Sequence, residues 1–286
     1  MENVKILFMG TASFSSCVLE KLLETNYNVI AVVTQPDRLV GRKKILTMPE
    51  VKEVALNHDI PVYQPQKIKK DYQDLLDLKP DLVITAAYGQ MIPEAILNLP
   101  KLGCINVHAS LLPKYRGGAP VHYAIINGEE VTGVTIMYMV KKMDAGNIIS
   151  QEEVKIAPDE TTGELYDRLS NVGAKLLIET LPSIIGKTND SIEQDENLVT
   201  YAPVISHEQE KIDFNQSAKQ VYNHVRGLNP WPGAYTVYQD KVVKIWAGSI
   251  HNCQNATKHH GHQENGTIVK IFKDAIGVKT GDGIYL

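Results

Sequence analysis

Cysteine is scarce: Cys17, Cys104 and Cys253 are the only three in 286 residues, odd in number and far apart. No disulfide framework is supported, and reduced thiols in a cytoplasmic protein are expected. No apolar run approaches the roughly 20 residues that a membrane-spanning helix needs. MENVKILFMG has an acidic second residue and only a short apolar run, so it reads as a first strand and not as a secretory leader. Internal repeats and low-complexity tracts are missing, which leaves an ordinary globular chain. The common nucleotide-binding signatures are missing too. MGTASFS, residues 9–15, follows a strand-like run and opens a helix-like one, but it fits neither G-x-G-x-x-G nor G-x-x-x-x-G-K-[ST]. Either turn chemistry or a polar contact at a helix N-terminus accounts for it, and the sequence leaves both open. There is also no G-x-S-x-G elbow to present a serine nucleophile.

The composition that remains, 43% apolar and 22% charged, supports a sizeable core, and the length suits two domains. Net charge is −4, yet it is unevenly spread. Residues 204–286 carry nine Lys and Arg against seven Asp and Glu, a net of +2, which is weak support for a polyanion partner. VKILFMG, NVIAVVTQ, IPVYQ, DLVITAAYG and LGCINV are strand-like and alternate with helical spacing. That alternation predicts a doubly wound, mostly parallel α/β sheet. VTGVTIMYMV and GNIISQEEVKI add two strands, and residues 161–186 read as a long amphipathic helix. We expect a catalytic domain over 1–188, a polar linker over 189–205 and a C-terminal domain over 206–286. In that last part, FNQSAKQVYNHVRG reads as a helix, and the short β runs after it suit a small antiparallel, OB-like barrel. The chain halts in a strand-like GIYL, so this domain is expected to lack its last segment.

The stretch CINVHASLLPKYRGGAP, Cys104 to Pro120, concentrates polar chemistry. Asn106 and His108 fall at the carboxyl end of a buried-looking strand, where open α/β sheets bind ligands. Asp144 lies in a D-A-G turn between two strands, where a turn aspartate bonded to its own backbone is the plain alternative. Each residue alone is structural more often than not. Together they form an amide donor, a base that titrates near neutrality, and a carboxylate able to orient an imidazole. A proton carrier and an oxyanion donor without a protein nucleophile suit direct transfer between two bound substrates.

N-x-H-x-S-L-L-P, then Y-R-G-G-A-P, a D-A-G some 35 residues after the histidine, and N-P-W-P-G-A at Asn229 to Ala234 resemble the 10-formyltetrahydrofolate-dependent formyltransferase family. The likeness extends over nearly the whole chain, nearest to the branch acting on aminoacyl-tRNA. It implies transfer of a formyl group from 10-formyltetrahydrofolate, as co-substrate, to the amino group of initiator methionyl-tRNA in the cytoplasm. Asn106, His108 and Asp144 match the catalytic trio. Ser110, Leu111, Leu112 and Pro113 match the folate-binding segment, and by the same likeness the backbones of Tyr88, Gly89, Gln90, Met91, Ile92 and Val140 line the pterin pocket. No metal is implied, and a monomer is expected.

QPDRLVGRKKIL, residues 35–46, has the composition of a solvated charged loop. The resemblance instead makes Arg38, Arg42, Lys43 and Lys44 a tRNA contact at the acceptor end, with Arg42 matching the key arginine. KHHGH, residues 258–262, has no Cys or carboxylate at ligand spacing and reads as surface loop and not as a metal site. MGTASFS departs from the G-T-P-x-F-A expected of the family, which leaves the acceptor-side contacts of Thr11 to Phe14 open. Alternatives are a sugar-nucleotide N-formyltransferase, a 10-formyltetrahydrofolate hydrolase using water in place of the amine, and a folate-binding regulatory module. The cationic loop argues against the first, and the intact trio against the last.

Overall fold

The structure, a computed structural model, describes residues 4–41, 43–251 and 262–286. The chain forms two compact units, neither contiguous in sequence. The first comprises Met1–Gly118, Gly133–Val154 and Tyr166–Ala202; the second comprises Ala119–Thr132, Lys155–Leu165 and Pro203–Leu286.

In chain order the elements begin with β1 (Lys5–Gly10), α1 (Ser13–Leu23), β2 (Asn28–Val33), β3 (Arg38–Val40), β4 (Ile45–Thr47), α2 (Glu50–Asn57) and β5 (Val62–Tyr63). Next come α3 (Gln73–Asp77), β6 (Leu82–Ala86), α4 (Glu94–Leu97), β7 (Cys104–His108), α5 (Pro120–Ile126), β8 (Val131–Tyr138), β9 (Ile148–Lys155) and α6 (Thr162–Ile185). The chain continues with α7 (Ala218–Gly227), β10 (Ala234–Tyr238), β11 (Lys241–Ile245), β12 (Ile250–His251), β13 (Ile268–Ile271), β14 (Ile276–Lys279) and β15 (Ile284–Tyr285).

The first unit is built on one seven-stranded sheet in the order β5-β2-β1-β6-β7-β8-β9. All seven strands read from the sequence join it. The pairs from β5 to β7 are parallel, and β8 runs antiparallel to β7. Central strands are buried on both faces, which explains their unbroken apolar runs: every residue of β6 and all but the first of β1 are buried. Leu7 and Met9 face one core with Val33, Val83, Ile96 and Cys104, as the two-residue period of a strand requires. From β1 the chain winds outward through β2 to β5 and then returns to β6 on the other side of β1. The winding therefore reverses between β1 and β6, and ligands gather at the carboxyl ends beside such a reversal. Helix α6 packs close to the sheet through Gly173, where an added Cβ would lie 2.9 Å from Val107 Cγ1 and 3.3 Å from both Phe14 and Val134.

Two parts of this unit differ from the sequence reading. Residues 38–40 and 45–47 pair as a β-hairpin where a loop was expected, Arg38 with Thr47, Leu39 with Leu46 and Val40 with Ile45. Three-residue strands are too short to show a period in the sequence; in the structure Gly41 takes φ +70° after the first of them. The polar stretch expected to be a linker belongs, as far as Ala202, to this first unit; its hydrogen bonds are described below.

In the second unit α7 begins with a capping box, Ser217 accepting from the Gln220 backbone while the Gln220 side chain accepts from Ser217 N–H. Val221, Val225 and Leu228 pack with Ile212, Ala234 and Tyr285. The strands read as a barrel are antiparallel, arranged as the ribbon β10–β11 and a four-stranded sheet in the order β12-β15-β14-β13. Residues 258–261 of the histidine cluster and Cys253 lie outside the described residues. Among the described residues no helix is long and apolar enough to cross a membrane.

Candidate active site

At the reversal between β1 and β6, side chains tie the strand ends together. The Thr11 hydroxyl and the Gln35 amide both donate to the Tyr88 carbonyl, at 2.9 and 3.1 Å. Thr11 N–H donates to Ser15 Oγ at 3.0 Å. Thr11 and Ser15 of MGTASFS thus hold the carboxyl ends of these central strands in shape. Gln35 Oε1 in turn accepts from Gln90 at 3.1 Å and from Arg38 at 3.0 Å. The segment matched to the pterin pocket follows directly. Tyr88 and Ile92 are buried, Gly89 takes φ +86°, and Met91 is 41% exposed. Val140 and Met143, beyond β8, are also about half exposed.

Asn106 and His108 are two apart on β7 and therefore share a face of the sheet. Thr85, paired with Asn106 across the sheet, donates its hydroxyl to Asn106 Oδ1 at 2.7 Å. With Oδ1 engaged, the free donor is Nδ2, which has no hydrogen-bond partner among the described residues. His108 is 5% exposed. Its Nε2 lies 3.1 Å from the Tyr115 carbonyl, and a carbonyl only accepts, so Nε2 carries the hydrogen. The ring nitrogen left to take up a proton is Nδ1, and it faces Asp144 Oδ2 at 3.8 Å. The tautomer is therefore set by a backbone carbonyl that sequence reasoning had no means of placing, while Asp144 faces the opposite nitrogen.

Asp144 is itself held. Gly117 N–H donates to its Oδ2 at 2.8 Å, and the residue sits at φ +49°. Tyr115, at φ +62°, and Ala87, at φ +42°, are left-handed as well. Non-glycine residues in that region are strained, and such strain collects at functional sites. Sequence reasoning also missed two side chains in this neighbourhood. Arg116 is 1% exposed and donates through Nε and Nη2 to Gln194 Oε1, at 3.0 and 2.8 Å. Gln194 donates to the carbonyls of Asp144 and Gly146, at 2.8 and 2.7 Å. Arg116 also binds Glu196 at 3.0 Å. Hydrogen bonds from Lys142 and Arg116 hold the Glu196 carboxyl below its ordinary range. The only advance signal was the arginine in Y-R-G-G; Gln194 lay in a stretch that looked merely polar.

The segment matched to folate binding runs past these groups. Ser110 is fully buried, and its hydroxyl donates to the Lys114 carbonyl at 2.7 Å. Leu112 N–H donates to Thr135 Oγ1 at 3.1 Å, and the Leu112–Pro113 bond is cis. Leu111 packs against Gly133. Burial raises the Cys104 thiol to about 12, so it stays protonated and offers no nucleophile. Of the residues matched to tRNA contact, Arg38 bonds to Gln35 and Lys43 and Lys44 are exposed at the hairpin tip; Arg42 lies outside the described residues. The hairpin also exposes more than half of Leu39, Val40, Ile45 and Leu46.

The site thus has an oriented amide donor, an imidazole of fixed tautomer and a held carboxylate at the carboxyl ends of β6 and β7. Comparison with known proteins gives the family of the chain. The Formyl transferase family matches residues 3–181, and the C-terminal domain of formyl transferases matches residues 204–286. A protein of Staphylococcus epidermidis named methionyl-tRNA formyltransferase is 54% identical over 279 residues, 97% of this chain and 87% of its own length. One of the same name from Staphylococcus aureus is 54% identical over 280 residues, covering 97% and 88%. In fold, the chain is similar to an N-formyltransferase of Helicobacter canadensis solved with folinic acid and dTDP-3-aminofucose. The TM-score is 0.73 at 20% identity, covering 99% of this chain and 97% of that one. By these matches, which take in most of its length, the chain belongs to the formyl transferase family.

Proposed function

We propose that the protein transfers the formyl group of 10-formyltetrahydrofolate to the free amino group of initiator methionyl-tRNA, with Asn106, His108 and Asp144 as its catalytic residues. The observation that carries this reading is the 54% identity, over 97% of the chain, to proteins named for that activity. The α-amine attacks the formyl carbon, and the carbonyl oxygen becomes an oxyanion. Asn106 Nδ2, which has no hydrogen-bond partner among the described residues, and the protonated His108 stabilise that charge, each oxyanion donor contributing about 3 to 4 kcal/mol. The bond from the formyl carbon to N10 then breaks, the amine loses a proton and N10 gains one. His108 Nδ1 and Asp144 Oδ2 face each other and hold that proton in transit, a general acid–base effect of roughly 100- to 10,000-fold. The Tyr88–Ile92 and Ser110–Pro113 segments and Val140 bind the folate. The cations Arg38, Lys43 and Lys44 of the hairpin, with Arg42, contact the tRNA, as does the C-terminal region over 206–286. The enzyme works as a cytoplasmic monomer, in keeping with two freely diffusing substrates.

The test supplies labelled 10-formyltetrahydrofolate together with charged initiator tRNA, with an amino-sugar nucleotide, or with buffer alone. Label is expected on the methionyl-tRNA. Label on the amino sugar and none on the tRNA overturns the reading.

A further inference from the structure

We propose that Gln194, held by the buried guanidinium of Arg116, is the residue that positions Asp144 for the reaction. This inference rests on the formyl-transfer reading of the site.

Gln194 has no freedom to turn. Its Oε1 accepts two hydrogen bonds from Arg116, which can only donate, so its Nε2 must face the other way. There the two N–H bonds meet the carbonyls of Asp144 and Gly146. The amide thus clasps the D-A-G turn on both sides of Ala145 and holds Asp144 at its left-handed φ. The carboxylate of that same residue receives Gly117 N–H and faces His108 Nδ1.

Arg116 is one residue from Gly117 and is fixed independently. Its N–H donates to the Thr200 carbonyl at 2.9 Å, and its own carbonyl accepts from Ala202 at 2.8 Å. The stretch from Gln194 to Ala202 is therefore a brace built into the catalytic face. Glu196, paired with Arg116 at 3.0 Å and with Lys142 at 2.7 Å, supplies the countercharge for a guanidinium with almost no access to water. A brace of this kind serves catalysis because a displacement of about 1 Å in an acting group can cost on the order of 100-fold in rate.

Gln194→Glu separates the two halves of the clasp. The carboxylate still accepts from Arg116, but its second oxygen now confronts two carbonyl oxygens and repels the turn. The expected kcat on methionyl-tRNA falls about 100-fold, with KM for the folate within about threefold. In an Asp144→Asn background the same change is expected to add almost nothing, because residues acting as one unit are not additive. A merely structural role would lower stability and combine additively.

Hydrogen exchange supplies a readout that needs no substrate. In Gln194→Glu, Gly117 N–H is expected to exchange on the order of 10-fold faster once Asp144 Oδ2 withdraws, while Arg116 N–H, bonded to Thr200, keeps its protection. If Gln194→Glu does not fold, Gln194→Met, similar in length and without polar atoms, carries the same readouts. Unchanged Gly117 exchange, or a rate loss additive with Asp144→Asn, overturns the inference. Failure of the wild-type protein to formylate methionyl-tRNA, with the exchange change present, overturns the functional reading and leaves the positioning role standing.

Discussion

Replacing Thr85 by valine isolates the orientation of the Asn106 amide from its presence. Thr85 is 2% exposed, and its hydroxyl donates to Asn106 Oδ1 at 2.7 Å. Valine keeps the branched shape on β6 and removes the hydroxyl, whose shortest bond is the one to Asn106 and whose longer contacts, both 3.2 Å, are to the Ile105 carbonyl and Met139 Sδ. On the proposed mechanism, the amide then loses the contact that keeps its oxygen against the sheet and its Nδ2 toward the forming oxyanion. Turned over, it would present a carbonyl oxygen to a negative charge. A hydrogen bond of this type is worth about 0.5 to 1.5 kcal/mol net. At about 1.36 kcal/mol per tenfold in rate, kcat falls about 2- to 13-fold. Removing the donor itself, in Asn106→Ala, costs far more, about 100- to 1,000-fold. Because the amide is partly accessible, water replaces the lost partner at Oδ1, and the stability change stays near the low end of about 1 to 3 kcal/mol. Single-turnover formylation under saturating folate measures the chemical step directly. A raised KM for folate with kcat intact, or a loss approaching that of Asn106→Ala, refutes the orienting role.

Three further outcomes are expected. Lys43→Glu and Lys44→Glu each weaken binding of charged tRNA and flatten its dependence on salt by about 0.9 per lost phosphate contact, with folate KM unchanged; filter binding across a salt series reads both. Gly117→Ala places a Cβ about 2.5 Å from the Ala202 carbonyl oxygen at φ +129°, so we expect a loss of about 2 to 4 kcal/mol in urea unfolding together with reduced turnover. His122 and His224 are held below the ordinary histidine range by burial, so they stay neutral in the folded state while the unfolded chain binds protons first. Stability is then full above the unfolded value near 6.5 and falls as pH drops from about 7 towards 5. The His122→Gln, His224→Gln double variant should show a flatter melting temperature over that range, and an unaltered slope contradicts the assignment.

Much of the fold could be read in advance because its signals are local. Each central strand is an unbroken apolar run, since both faces are covered, and the α7 capping box is spelled out by Ser217 and Gln220. Asn106 and His108 were legible through their place at the end of such a run. What stayed hidden depends on partners far away in sequence. Gln194 and Glu196 have the composition of a solvated linker, and their polarity is explained instead by a buried Arg116 some 80 residues earlier. Composition cannot separate polar residues that face water from polar residues that satisfy one another. The Tyr115 carbonyl and the Gly117 N–H, which fix His108 and Asp144, are backbone groups that any residue carries. Thr85 looked like one more β-branched strand residue until β6 and β7 were paired in register.

The central claim is that Asp144, facing His108 Nδ1 across 3.8 Å, handles the proton while the formyl carbon changes partners. Asp144→Asn keeps the side chain's shape and removes its charge. Measured by single-turnover formylation of methionyl-tRNA alongside folate binding, it should lower the rate by roughly 100- to 10,000-fold and leave folate affinity within about threefold. A near-normal rate, or a fall in folate affinity as large as the fall in rate, contradicts the account.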